Sequence, residues 1–264
     1  MFREIGAYPP AGMFSLGHFI LLFIFGGLGI LFYYLTKKWT KEKMMIFFKV
    51  FSLILLAMEI FKIIWNISVY KISHETLNRF IPLYYCSIFL YAFLILSWGK
   101  GRFGKSAMVW MTYGGIIAGV AFLMYPSSSL IFYPAFHFLS LHSIFFHVAL
   151  VLIGTIIIKK EFYIPSRKDF MTFLYFSLAF MIPAFIFNKI FGTNLMFLEE
   201  PIAIYIFTLI QEFSPIVFQF VMFFAQLFLP FLFTHLIFLF FSQKTKFKVY
   251  QNEEKHEEIS TSDH

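Results

Sequence analysis

A chain of 264 residues in which 60% are apolar, 42 are Phe and only 13% are charged carries more apolar side chain than a soluble domain of that length can bury. The net charge of +7 is dispersed over short loops, without the clustered, aromatic-interleaved basic face that nucleic-acid binding needs, so no nucleic-acid partner is expected.

A hydrocarbon core of about 30 Å takes roughly 20 apolar residues in helical form. Seven apolar runs fit: 15–36, 44–66, 80–98, 105–125, 134–158, 169–190 and 214–241. They are nearly continuous rather than alternating, which predicts an all-α polytopic membrane protein with seven transmembrane helices and not a barrel. The opening MFREIGAYPPAGMF shows no small-residue cleavage site after a short apolar core, so the first run is expected to be a retained helix rather than a signal peptide.

The second run contains LLAMEIFKIIWNISVY, which sets Glu59, Lys62 and Asn66 on one helical face. Ionisable groups at membrane depth usually face a bundle interior or a wet cavity. Glu59 lies roughly 12 Å from the outer end of its run at 1.5 Å per residue. The third run, RFIPLYYCSIFLYAFLILSW, holds the sole cysteine, Cys86, roughly 10 Å deep by the same rise. The fourth carries Gly115 and Gly119, a spacing that suits close helix packing. In the fifth, His142 is again about 12 Å deep. His137, His142 and His147 follow one another at five-residue steps that rotate each away from the last, so one helix cannot aim them at one ion and no metal site is expected. Asn188 ends the sixth run and Gln219 begins the seventh.

Between those two runs, NLMFLEEPIAIYIFTLIQEF (194–213) is apolar but bracketed by Glu199, Glu200 and Glu212. It reads as an outer-side interfacial helix or re-entrant segment rather than another span. The chain thus divides into a membrane domain, 1–247, and a polar tail, 248–264, expected to be disordered and cytoplasmic. Loops at 37–43, 100–105, 159–168 and 244–255 hold fifteen Lys and Arg, whereas the alternate ones hold four, Arg3, Lys71, Arg79 and Lys189. That alternation puts the N-terminus outside and the C-terminus in the cytoplasm, with the plasma membrane the expected location.

Taken one by one these residues have plain readings. A membrane cysteine can be a small inert side chain, and Glu59 and Lys62 can neutralise each other. Taken together they resemble something more specific. IPLYYCS (81–87), FLSLHSIFFHVALVLIG (138–154) and FNKIFGTNLMFL (187–198) resemble the YwaF-like bacterial membrane proteins, related to the eukaryotic transmembrane protein 164 family. The matching positions are Pro82, Leu83 and Cys86; His142 and Ser143; and Asn188, Gly192, Asn194, Met196 and Leu198, while Tyr84 stands where bacterial members often have His.

The resemblance implies a phospholipid acyltransferase, or lipid-ester hydrolase, in which Cys86 is nucleophile and His142 base. An imidazole can take the proton of a thiol that is otherwise a weak nucleophile. Glu59 is the candidate to orient His142, with Lys62 holding the carboxylate ionised. Asn188, Tyr84 and Ser87 are candidate oxyanion donors by depth, and Asn66, Asn194 and Gln219 complete the candidate substrate-binding set. Membrane phospholipids are then the partners, and no cofactor is expected. The alternative is a solute transporter or sensor whose polar pocket is lined by Glu59, Lys62, Asn66, His142 and Gln219.

Overall fold

A computed structural model describes residues 6, 8–70, 73–202 and 204–262, of which 74, 75 and 241–262 as backbone only. Arg3 and Lys71, two of the four charges assigned to the outer side, and residues 263–264 of the tail lie outside the described residues. Those residues contain helices and no strand.

The helices in chain order are α1 (Leu16–Thr36), α2 (Lys41–Val69), α3 (His74–Phe80), α4 (Ile88–Trp98), α5 (Gly101–Trp110), α6 (Ile116–Met124), α7 (Phe138–Lys159), α8 (Phe170–Phe191), α9 (Tyr205–Phe213) and α10 (Pro215–Ser262). Hydroxyl caps fix several starts: Ser15 accepts from the His18 N–H at 3.2 Å, Thr40 from Lys43 at 3.3 Å, and Ser73 forms a reciprocal capping box with Thr76. Among the described residues six helices are long and apolar enough to cross a membrane: α1, α2, the α5–α6 rod Gly101–Met124, α7, the Arg167–Phe191 stretch containing α8, and Pro215–Phe240 of α10.

The third predicted run is where sequence and structure part. Only Ile88–Trp98 is helical, 11 residues, about 16 Å at 1.5 Å each and too short to cross alone. The cause is Pro82, which forces the residue before it out of helical geometry. Ile81 is extended (φ −94°, ψ 115°) and α3 stops at Phe80. Residues 81–87 then run irregularly, all half-buried, an arrangement tolerated at membrane depth only where protein covers it.

α4 forms the centre. Ile88, Phe89, Ala92, Phe93 and Leu96 are almost fully buried, packed against α2 and α5. α1, α2, α8 and α10 turn large apolar side chains outward, such as Phe23 at 83% and Ile64 at 56% exposed, as a lipid-facing shell does. Between α5 and α6 the backbone widens into a π-turn at Met111–Gly115. The Tyr113 carbonyl there accepts from Thr234 Oγ1 of α10 at 3.0 Å.

The segment between α8 and α10 has two parts. A 3-10 turn, Leu195–Phe197, is buried in the bundle, whereas α9 has no buried residue and exposes Tyr205 at 78% and Phe213 at 83%. Beyond Phe240 the backbone of α10 continues helical to Ser262, through the polar tail that the sequence expects to lack structure.

Candidate functional site

The face of α2 predicted to carry Glu59, Lys62 and Asn66 turns inward toward α7. Glu59 is 4% and His142 6% exposed. Lys62 Nζ meets Glu59 Oε1 at 2.5 Å, and the other carboxylate oxygen, Oε2, lies 3.7 Å from His142 Nε2, an ionic approach longer than a hydrogen bond. Lys62, Glu59 and His142 thus lie in one row. The His142 ring stacks on Phe146, with centroids 5.9 Å apart. Asn66, one further turn along α2, donates from Nδ2 to the Arg79 carbonyl at 3.3 Å, which ties α2 to the end of α3.

Cys86 belongs to the irregular turn before α4. Ser87 N–H bonds the Tyr84 carbonyl at 2.8 Å and Phe89 N–H the Cys86 carbonyl at 3.1 Å, so the thiol sits at the helix threshold. Its partner is the Ala118 carbonyl on α6, with Sγ 3.9 Å away. No hydrogen bond or ion pair joins Cys86 to His142 among the described residues. Ser87, first before α4, makes no side-chain cap, and Tyr84 places its ring 5.3 Å from that of Phe197.

The other histidines have separate surroundings. His137 caps α7, its Nδ1 accepting from the Leu139 N–H at 3.2 Å. His147 donates from Nδ1 to the Ser143 carbonyl at 2.7 Å and lies flat on Phe122 at 3.6 Å. No three His, Cys, Asp or Glu converge among the described residues.

The asparagines form a knot. Asn188 Oδ1 accepts from the Leu195 N–H at 2.8 Å and the Thr193 hydroxyl at 2.7 Å, and its Nδ2 donates to the Leu195 carbonyl at 2.9 Å. Asn194 Oδ1 accepts from the N–H groups of Glu199 and Glu200, and its own N–H donates to Asn78 Oδ1 at 2.8 Å. Gly192 (φ 61°) ends α8 in the left-handed region, which glycine adopts without strain. Met196 (φ 56°) and Phe197 (φ 53°) share that region without being glycine. They persist because Gln226 of α10 clamps the Met196 carbonyl at 2.9 Å and Met196 is fully buried. Asn188 and Asn194 thus commit their amides to the turn.

Gln219 donates to Glu199 Oε2 at 2.6 Å, where Lys189 also pairs at 2.9 Å. Over this knot opens a cavity of about 460 Å³ whose lining includes Asn78, Tyr84, Asn188, Asn194, Glu199 and Glu200. Asn78 and Glu199 were not singled out from the sequence as site residues; the polar HETLNRF stretch before Pro82 was the available signal for the first.

The model of the TMEM164 family matches residues 13–241. No curated protein and no solved structure matches the chain.

Proposed function

Because the chain belongs to the TMEM164 family, we propose that this multi-pass membrane protein acts on phospholipid esters, as an acyltransferase or lipid-ester hydrolase with Cys86 as nucleophile. The observation that carries the reading is the buried row Lys62–Glu59–His142, an ionisable cluster whose cost at membrane depth calls for a use.

The imidazole of His142 takes the Sγ proton and the sulfur adds to the ester carbonyl carbon, moving the C=O π pair onto oxygen. When the C=O bond re-forms, the glycerol oxygen is expelled, collects the proton from the imidazolium and leaves as the hydroxyl of a lysophospholipid. The acyl chain remains on sulfur as a thioester. A lysophospholipid hydroxyl then attacks it in transfer, or water in hydrolysis, and the thiol is regenerated. Glu59 stabilises the imidazolium and Lys62 holds Glu59 in place through their ion pair. Since the thiol bonds the Ala118 carbonyl in this conformation, the first proton transfer needs rotation of Cys86 or a bridging water.

The proposal includes a topology: N-terminus outside, tail 248–264 in the cytoplasm, plasma membrane location, and α4 with 81–87 as a seventh crossing. Fifteen Lys and Arg against four in alternate loops support it.

Intact-protein mass spectrometry of wild type, Cys86→Ala and His142→Ala incubated with defined phospholipids tests the chemistry. A fatty-acyl adduct on wild type, missing from Cys86→Ala and slow on His142→Ala, is expected. A polar cavity bordered by Glu199 and Glu200 favours a second reading, binding of a transported or sensed solute. Full cellular function in Cys86→Ala with no adduct on wild type selects that reading.

A further inference from the structure

The polar cavity over the asparagine knot draws its lining from three parts of the chain: Asn78 of α3, Tyr84 of the turn before α4, and the stretch from Asn188 to Glu200. At about 460 Å³ it suits a small polar group. Much of the lining is already spent. Asn188 and Asn194 bond the turn between them, and Glu199 Oε2 holds Lys189 and Gln219.

Two donors are not spent. Asn78 accepts the Asn194 N–H at 2.8 Å through Oδ1, which turns its Nδ2 hydrogens the other way. The Tyr84 hydroxyl makes no hydrogen bond among the described residues.

Beside them stands a cation. Arg79 follows Asn78 and is half-buried. Its guanidinium lies on the Tyr70 ring at 4.5 Å, and that ring is braced by the Tyr133 hydroxyl, 3.1 Å from its own. The Arg79 carbonyl is held by Asn66, and its charge reaches the Tyr84 hydroxyl. No carboxylate pairs with Arg79 among the described residues, although partly desolvated cations usually have an anion. The planar fork of Arg matches phosphate oxygens.

We infer that this end of the cavity binds the phosphodiester of the phospholipid whose ester Cys86 attacks, with Asn78 Nδ2 and Tyr84 Oη donating to its oxygens and Arg79 balancing its charge. The inference rests on the thiol reading above and adds the headgroup to it. Tyr84 and Cys86 are separated by at most about 7 Å of chain, and in a glycerophospholipid only a few bonds separate phosphorus from the nearer ester carbonyl. A lipid seated by its phosphate at Tyr84 therefore presents that carbonyl at the level of the thiol. Glu200, exposed at the rim, repels a further negative charge, so a headgroup without net charge is preferred to an anionic one.

Native mass spectrometry of Cys86→Ala protein in detergent measures binding without turnover. The probes are dihexanoyl phosphatidylcholine, dihexanoyl phosphatidylglycerol and dihexanoylglycerol, which keeps the esters and lacks the phosphate. Phosphatidylcholine is expected to bind about tenfold or more tightly than dihexanoylglycerol. Arg79→Gln and Asn78→Asp, which keeps the acceptor for Asn194 and loses the donor, should abolish that advantage, and Tyr84→Phe should reduce it. Thermal unfolding is followed in parallel; Tyr84→Phe, which leaves the ring on Phe197, decides the matter if the other variants fold poorly. Phosphatidylglycerol should bind more weakly than phosphatidylcholine, with Glu200→Gln closing the gap.

Equal binding of phosphatidylcholine and dihexanoylglycerol, or an advantage that Tyr84→Phe and the other variants retain, overturns the inference. Inorganic phosphate is expected not to compete; if it displaces the lipid at matching concentration, the site serves a free phosphate solute and the lipid assignment falls. Acyl-adduct formation on protein with Cys86 intact separates the two readings. No adduct, with phosphate-dependent binding present, discards the thiol and keeps the headgroup site. An adduct formed from phosphatidylcholine at the wild-type rate in both Tyr84→Phe and Arg79→Gln keeps the thiol and discards the site.

Discussion

Lys62 closes on Glu59 across one turn of α2, Nζ to Oε1, at 2.5 Å, in a part of the bundle where Glu59 is 4% exposed. Removing one member leaves the other as an uncompensated charge, a loss of about 3–5 kcal/mol in buried pairs. Lys62→Met and Glu59→Gln are each expected to lower the unfolding temperature in detergent sharply, and the double variant to regain most of the loss. A double-mutant cycle checks this; additive losses would mean that the two side chains do not depend on each other.

The asparagine knot carries a different expectation. Asn188→Leu strands the Thr193 hydroxyl and the Leu195 N–H and leaves the Leu195 carbonyl with the Leu198 N–H alone; each stranded group is worth about 1–3 kcal/mol when buried without a partner. A large fall in stability, with early proteolysis near 194–200, is expected. An Asn188→Leu protein that unfolds at the wild-type temperature but loses activity would instead make Asn188 a substrate contact.

Helices α6 and α7 meet over Gly119. An added methyl would lie 2.6 Å from Val151 Cγ2 and 3.0 Å from the His147 carbonyl oxygen, and the backbone oxygen cannot yield. Gly119→Ala is expected to cost about 1–3 kcal/mol. Gly27→Ala, where nothing lies within 4 Å, is the control and should leave thermal unfolding unchanged or slightly later.

Tyr163, between α7 and α8, donates to Asp169 Oδ2 at 2.8 Å while Lys105 pairs with Oδ1 at 3.0 Å. Burial first, then the bond to that carboxylate, holds the phenol well above its ordinary range. Its folded-state pKa is raised, so the stabilisation is complete below the unfolded value of about 10 and is lost as pH climbs toward the higher folded value. Wild type should therefore lose stability between about pH 10 and 11 more steeply than Tyr163→Phe, measured by denaturant unfolding across that range. Parallel curves would remove Tyr163 from the alkaline transition.

The membrane character and most helices could be read from the sequence because a span needs only length and apolarity, and the runs at 15–36 and 134–158 come close to α1 and α7. The run 80–98 could not be resolved that way. Pro82 announces a break, but apolarity continues across it, and hydropathy does not distinguish a helix from an irregular segment covered by protein. Glu59, Lys62 and His142 were found together because helical spacing and depth suffice to align them. Asn188 and Asn194 look like binding residues in a string of letters; their hydrogen bonds close within the turn, which only coordinates reveal. Tyr85 and Trp110 show the opposite case, since each alone reads as ordinary interior and only the coordinates bring both against Gly114 of the widened turn.

That widened turn also sets the direction of everything that follows it in the rod. A π-turn is an α-helix holding one surplus residue, and each residue turns a helix by about 100°. Excising one residue from Met111–Gly115 would restore regular winding and swing everything after it around the axis by that angle. Ala118 would leave Cys86, Phe122 would leave His147, and Gly119 would leave its close fit against α7. The surplus residue therefore sets at once the register in which α6 meets the thiol and the register in which it packs on α7.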